Sequence, residues 1–229
     1  MRTEPKVTLM AGVTRWRRGA GEALVTVGAV ATLFAAYGLW GAAPATEAHQ
    51  RDLDVRLAQQ WTPPDGAEPA AAAPPQQQLP PLTIGEPMAR LYLPRLGRHW
   101  VVVEGVAGDD IVSAPGHYPD TARPGEIGNF AVAGHREPGI FWDLDRLQPG
   151  DPVIVQTGWG YFTYTVSGTD IVAPTAVEVV APVPDHPDAV PTVAVLTLTT
   201  CNPKWDNYQR LVVHATLTAT SDTAPPDLD

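Results

Sequence analysis

Cysteine is nearly absent from this chain of 229 residues, which contains only Cys201. A single cysteine excludes an intramolecular disulfide and any metal site built from several cysteines. The histidines are scattered without the close spacing that zinc ligands need, and the acidic pairs at 109–110 and at 143 and 145 are more typical of helix starts and turns than of calcium sites. The sequence therefore predicts no metal and no cofactor.

Basic residues are also scarce, since 15 lysines and arginines stand against 25 aspartates and glutamates. The net charge is −10, and residues 1–22 carry a surplus of basic groups, so the remainder of the chain is more acidic still. An acidic surface repels the phosphates that supply most of the affinity of proteins for nucleic acids. We therefore expect no nucleic-acid partner.

Long helices are disfavoured by 25 prolines and 20 glycines, but residues 23–43 are an exception because they contain no charge. At about 1.5 Å per residue they would span roughly 30 Å, the thickness of a hydrocarbon core. Basic residues precede this run, and Tyr37 and Trp40 lie near its far end. It predicts a transmembrane anchor with residues 1–22 in the cytoplasm and the following residues outside the cell. A cleaved signal peptide is the alternative.

Residues 44–87 have the composition of a linker outside the membrane. Within them, residues 47–60 predict a short polar helix, and residues 61–81 contain seven prolines and a glutamine triplet. Such a stretch favours an extended spacer that would carry a folded domain away from the membrane. The polar residues 221–229 predict a disordered tail.

Residues 88–220 consist of short β-rich runs separated by Gly, Pro and Asp clusters. Seven or eight strands in about 130 residues predict an all-β domain, either a closed barrel or a sandwich. Short helices are predicted at 109–114 and 141–147. The predicted strands are 90–93, 100–104, 129–134, 152–156, 161–172, 192–199 and 211–218.

A candidate active site is formed by residues at three predicted strand ends. Cys201 ends one apolar run, His135 ends another, and Arg210 opens the run after the cysteine. A thiol, an imidazole and a guanidinium are the nucleophile, proton carrier and oxyanion donor that acyl transfer requires. The alternative is an inert cysteine, because free cysteine is commonly a small buried residue.

Residues 197–201, 133–136 and 208–213 read TLTTC, AGHR and YQRLVV. In this set the sequence resembles the sortases, cysteine transpeptidases of Gram-positive cell surfaces, which share a TLxTC motif, an AGH region and an arginine-containing strand. The resemblance covers about residues 88–220 and implies a closed eight-stranded β-barrel with short helices. It also implies that Cys201 is the nucleophile, that His135 transfers protons and that Arg210 stabilises the oxyanion.

Four further strings are most similar to class E sortases, the housekeeping type of high-GC actinobacteria. The resemblance implies a preference for a Leu-Ala-X-Thr-Gly sorting signal over Leu-Pro-X-Thr-Gly. It suggests substrate contacts for Tyr118, while Thr199 and Thr200 either shape the strand end or bind substrate. We expect His117 to be structural and Arg136 to point away from the catalytic face. The strings are YLPRLG at 92–97, WVVVEG at 100–105, PGHYP at 115–119 and FAVAGHR at 130–136.

The implied reaction cleaves the signal between Thr and Gly through a thioester and transfers the protein to a cell-wall amine. The expected partners are secreted proteins bearing the signal, a peptidoglycan precursor amine linked to lipid II, and the membrane. A class C pilin-polymerising sortase is less favoured, because the polar tail offers no second anchor. An L,D-transpeptidase is disfavoured because residues 199–203 do not match its cysteine motif. A non-enzymatic, membrane-tethered β-domain that binds cell wall is the remaining alternative.

Overall fold

The computed structural model describes residues 19, 21–34, 43–62 and 81–228, in two compact units that divide after Pro44. In the first unit, residues 21–34 are helical and their apolar side chains are exposed. No helix within the described residues is both long and apolar enough to cross a membrane. Most of the predicted cytoplasmic tail and residues 35–42 of the predicted anchor lie outside the described residues.

The second unit contains a closed barrel of eight strands, as the resemblance implies. Around the barrel the order is β1-β2-β3-β4-β7-β8-β6-β5, and β5 pairs with β1 to close it. The β4 and β7 strands are parallel neighbours, whereas β7 and β8 are antiparallel. The strands are β1 Pro87–Leu93, β2 Arg98–Glu104, β3 Gly116–His117, β4 Gly128–Ala133, β5 Pro152–Thr157, β6 Gly160–Val172, β7 Ala194–Asn202 and β8 Gln209–Ser221.

Alternate side chains of these strands fill the barrel interior. Phe130 and Val132 of β4 pack with Leu196 and Leu198 of β7, and all four are fully buried. Burying one such side chain contributes about 1.5–3 kcal/mol. Because successive strand residues point to opposite faces, the odd-numbered residues of β4 and β7 face outward. The outer face of these two strands is the surface that carries the candidate site.

The seven predicted strands all form, and β3 is the one that the sequence did not indicate. Two residues are too few to show alternation, and one of them is glycine. Gly116 lies close to Gly105, the residue that follows β2. An added Cβ on Gly116 would be 1.9 Å from the carbonyl oxygen of Gly105. Glycine is required by this close approach, through which β3 connects β2 with β4.

The helix predicted at 109–114 is wrong, because these residues form turns and bends. The Asp110 carboxylate accepts a hydrogen bond from the Ala107 N–H (3.0 Å), and such local side-chain bonds compete with helix formation. Of the helix predicted at 141–147, only Leu144–Arg146 is helical, as a 3-10 turn. The polar tail continues after β8 into another 3-10 turn, Pro226–Leu228.

Helix α1, Ala43–Trp61, is longer than the predicted helix at 47–60 and packs against the barrel. Leu53 and Leu57 are buried against Val101, Val103 and Ala114. Polar contacts accompany this packing, because Arg56 pairs with Glu86, Arg90 pairs with Asp54, and Arg90 lies 4.9 Å from the centre of the Trp61 ring.

The docking of α1 bears on the predicted role of residues 61–81 as a spacer, because α1 directly precedes most of this stretch. Residues 63–80 lie outside the described residues, but Trp61 before them and Pro87 after them belong to the same compact unit. The sequence does not show this docking, because Leu53 and Leu57 are the two fully buried leucines of an otherwise polar helix.

Candidate active site

The parallel pairing of β4 and β7 brings His135 and Cys201 to the same edge of the barrel. Ala133 is the register partner of Thr199, and the Gly134 N–H donates to the Thr199 carbonyl (3.0 Å). Each chain then continues two residues in the same direction, to His135 and to Cys201. Two predicted site residues that are distant in sequence therefore end at equivalent positions of neighbouring strands.

The antiparallel strand β8 supplies the third residue, because Arg210 is the direct register partner of Cys201. Directly opposed residues of antiparallel strands have Cα atoms about 4.5–5.5 Å apart, so a guanidinium at this position reaches the space around the thiol. Its Nη1 donates to the carbonyls of Asn207 (2.8 Å) and Gln209 (2.9 Å). These two bonds use one nitrogen of a group with five N–H donors.

Cys201 is a free, half-buried cysteine on the outward face of β7. Its neighbours Leu196 and Leu198 point into the core, and the alternation directs Thr197, Thr199 and Cys201 to the outside. The thiol is therefore placed where a peptide on the outer face of the barrel can reach it, rather than inside the apolar core.

Gly134, the residue before His135, lies where a side chain would not fit. A Cβ at Gly134 would come within 2.6 Å of the Phe141 ring, so only glycine allows the chain to leave β4 past this aromatic residue. The carbonyl of His135 then accepts a hydrogen bond from the Phe141 N–H (3.1 Å). Together these contacts fix the backbone of His135 at the strand end.

Tyr118 and Thr199 meet on the same outward face. The hydroxyls of the two residues are 3.2 Å apart, and Thr199 lies one outward position before Cys201 along β7. Thr200, in contrast, alternates to the core side, and its hydroxyl is buried with no hydrogen-bond partner in the described part of the chain. The geometry thus places Tyr118 and Thr199 beside the cysteine and Thr200 behind it.

Farther along the same face, Thr197 and His214 form a cross-strand pair. The Thr197 hydroxyl lies 3.0 Å from His214 Nδ1, and the two are register partners on β7 and β8. Burial lowers the pKa of His214, and the carboxylates of Asp185 and Asp170 oppose this effect more weakly. Burial therefore favours the neutral imidazole at this position.

His117 is buried in a polar cluster of its own, which agrees with the expected structural role. Its Nδ1 lies 2.6 Å from a Glu104 carboxylate oxygen, its Nε2 lies 2.9 Å from the Thr121 hydroxyl, and its ring stacks on Phe130.

As for metal binding, the described residues contain no group of three or more His, Cys, Asp or Glu side chains that could hold an ion.

Arg136, which the sequence predicts to point away from the catalytic face, bonds to the backbone of Cys201 at this edge. The expected outward direction of Arg136 depended on β4 continuing past His135, but β4 ends at Ala133, and the Nη1 of Arg136 donates to the Cys201 carbonyl (3.2 Å). The available signal was an arginine directly after an apolar strand, where a charged side chain needs buried acceptors.

The barrel is closed and has eight strands, and a histidine, a cysteine and an arginine lie at one of its edges. This is the arrangement that the resemblance to the sortases implies, and the comparison with protein families agrees with it. The Sortase domain model matches residues 91–218. The chain belongs to the sortase family, a family of cysteine transpeptidases.

Sortases of the E type are among the individual relatives of this chain. Sortase SrtE1 from Streptomyces coelicolor is 30% identical over 208 residues, which cover 86% of this chain but only 55% of that protein. The chain thus spans little more than half of the length of this relative. Among solved structures, SrtA from Actinomyces oris is 36% identical with a TM-score of 0.63, covering 65% of this chain and 90% of that one. Sortase E from Streptomyces avermitilis is 39% identical with a TM-score of 0.57, covering 64% and 99%.

Proposed function

We propose that this protein is a class E-type sortase that cleaves a C-terminal sorting signal between Thr and Gly and transfers the protein to a cell-wall amine. The observation that carries the proposal is the register of Cys201 with Arg210 on β7 and β8, next to the end of β4 that bears His135. The similarity to SrtE1 and to sortase E supports the class.

In the first half-reaction the Cys201 thiolate attacks the threonine carbonyl of the signal. The carbonyl oxygen becomes an oxyanion, which the N–H donors of Arg210 stabilise. When the tetrahedral intermediate collapses, the Thr–Gly bond breaks and the glycine nitrogen takes a proton from His135. A thioester between the threonine carbonyl and Cys201 remains.

In the second half-reaction an amine of the cell-wall precursor attacks this thioester. His135, now neutral, takes a proton from the attacking nitrogen, and a second oxyanion forms beside Arg210. Collapse forms the new amide and returns the Cys201 sulfur as thiolate. We assign the acceptor to a peptidoglycan precursor linked to lipid II.

The sorting signal would lie on the outer face of β4 and β7. Thr199 is one outward position before Cys201 on β7, and its hydroxyl lies 3.2 Å from that of Tyr118, which supports contacts of both hydroxyls with the residues that precede the signal's threonine. An alanine in the second position of the signal keeps a backbone N–H that proline lacks. A hydroxyl acceptor at this place would therefore favour Leu-Ala-X-Thr-Gly over Leu-Pro-X-Thr-Gly.

We also propose that residues 23–43 anchor the protein in the cell membrane, with residues 1–22 cytoplasmic and the barrel outside. The support is the uncharged run after a basic segment, together with the exposure of Leu24 (74%) and Phe34 (77%) on residues 21–34. Intact cells should retain the full chain and expose residues beyond 44 to added protease. A secreted form that begins after Ala45 would instead establish a cleaved signal peptide.

The activity is tested with Cys201→Ala and a peptide that carries Leu-Ala-X-Thr-Gly, in the presence of a short amine nucleophile. The wild type should give a threonine–amine product and a transient adduct on Cys201, both visible by mass spectrometry. The variant should give neither while its melting curve stays unchanged. A variant that still produces the amide would refute the proposed chemistry.

A further inference from the structure

A buried guanidinium is hydrogen-bonded to the backbone of the proposed nucleophile. The side chain of Arg136 is only 4% exposed, and its Nη1 donates to the Cys201 carbonyl (3.2 Å) and to the Asn202 side-chain oxygen (3.1 Å). Its Nε donates to the Trp142 carbonyl (3.2 Å), and its Nη2 pairs with Asp145 (3.1 Å). All three nitrogens of the group are thus engaged.

These contacts connect the segment after β4 with the end of β7, and one more hydrogen bond extends them to β8. Trp142 and Asp145 belong to the segment after β4, whereas Cys201 and Asn202 are the last residues of β7. Asn202 also donates to the Gln209 side chain (3.1 Å), and Gln209 precedes Arg210 on β8. The hydrogen-bond chain from Arg136 therefore ends next to the proposed oxyanion donor.

We propose that Arg136 is a positioning residue, which holds the backbone of Cys201 so that the thiol faces the substrate carbonyl beside Arg210. This inference rests on the proposed function of Cys201 as nucleophile. Arg136 bonds to the Cys201 carbonyl rather than to the thiol, so it acts through that carbonyl and through the Asn202 side chain.

The shape of the guanidinium is essential to this role. A planar fork donates in several fixed directions at once, whereas the ammonium of lysine is a point charge on a flexible stem. Lysine at this position keeps the charge opposite Asp145 but cannot bond to Trp142, Asn202 and the Cys201 carbonyl together. Because a displacement of about 1 Å in a reacting group can cost about 100-fold in rate, the loss of this geometry affects catalysis beyond its effect on stability.

The test compares Arg136→Lys with a matched control, Arg90→Lys. Arg90 is also mostly buried (17% exposed), pairs with Asp54 and donates to Gln156, but it lies on β1, which is hydrogen-bonded to neither β4 nor β7. For each variant we measure the melting temperature and the saturating rate and half-saturation concentration of Cys201 acylation by the sorting peptide, in single turnover. Rates are expressed per folded molecule.

Arg136→Lys should lower the saturating acylation rate about 10- to 100-fold and change the half-saturation concentration less than about threefold. Arg90→Lys should lower the melting temperature comparably and acylate at the wild-type rate. Wild-type acylation by folded Arg136→Lys, or an equal loss in Arg90→Lys, would overturn the assignment. Failure of the underlying function is recognised separately, because Cys201→Ala would then still process the peptide.

Discussion

Replacing Arg210 tests the part of the site on which the proposed mechanism depends most. Arg210 is the cross-strand partner of Cys201, and two of its hydrogen bonds go from a single nitrogen, Nη1, to carbonyls of the adjoining turn. The bonds to the turn orient the group, and the donors on the other two nitrogens remain for an oxyanion. Arg210→Lys replaces a fork with a point charge, whereas Arg210→Ala removes both the donors and the support of the turn.

The expected loss follows from the number of donors removed. Losing one oxyanion donor typically costs about 10²–10³ in turnover. We therefore expect Arg210→Lys to acylate about 10²–10³ more slowly than the wild type, and Arg210→Ala to be slower still. Because Arg210 is partly exposed, neither change should unfold the barrel.

The assay is single-turnover acylation of Cys201 by the sorting peptide, with the melting curve of each variant recorded alongside. Arg95→Lys is the matched control, because Arg95 also donates to a backbone carbonyl, that of Arg146, and is 42% exposed. It should acylate normally. Unchanged acylation in Arg210→Ala would remove Arg210 from the mechanism, and a loss that matches the fraction of unfolded protein would make it a structural residue.

Three further predictions concern other parts of the barrel. Tyr118→Phe removes the hydroxyl that meets Thr199, so the ratio of kcat/KM for Leu-Ala over Leu-Pro peptides should fall about 3- to 10-fold; an unchanged ratio would contradict the proposed contact. Burial lowers the pKa of His214, so the unfolded chain binds this proton more readily than the folded one, and the free energy of unfolding should fall as the pH drops below 6.5. Urea titrations at two pH values should show less of this loss in His214→Asn. Leu57→Ala should weaken the docking of α1 by about 2–5 kcal/mol, seen as faster amide exchange in α1 with protected barrel strands.

The strands were predictable because alternation and turn residues are local signals. The β6 strand shows this well, since its alternating run at 161–172 corresponds to Gly160–Val172 in the structure. Closure into a barrel was not derivable from the residues, which allowed a sandwich equally. It depends on β3, two residues long, and on the β1–β5 pairing, both of which join segments distant in the sequence.

The sequence indicates the reactive residues of the candidate site, but it does not indicate which residues hold them in place. Cys201, His135 and Arg210 stand out because reactive side chains end or begin apolar runs. The position of Arg136 depends on β4 lying beside β7, a pairing between strands more than 60 residues apart in the sequence. Alternation gives the direction of a side chain, but only the order of strands in the barrel says what it meets there.

Because side-chain contacts attach α1 to the barrel, a break in the chain between α1 and β1 would not by itself separate the helix from the barrel. A single cut within residues 63–80 would leave α1 on one fragment and all eight strands on the other. The buried contacts of Leu53 and Leu57 and the ion pairs of Arg56 and Arg90 would still hold the two fragments together. Insertions at the same place would likewise leave these contacts between α1 and the barrel in the chain. Residues 63–80 are therefore the natural position for a split or tagged version of this barrel.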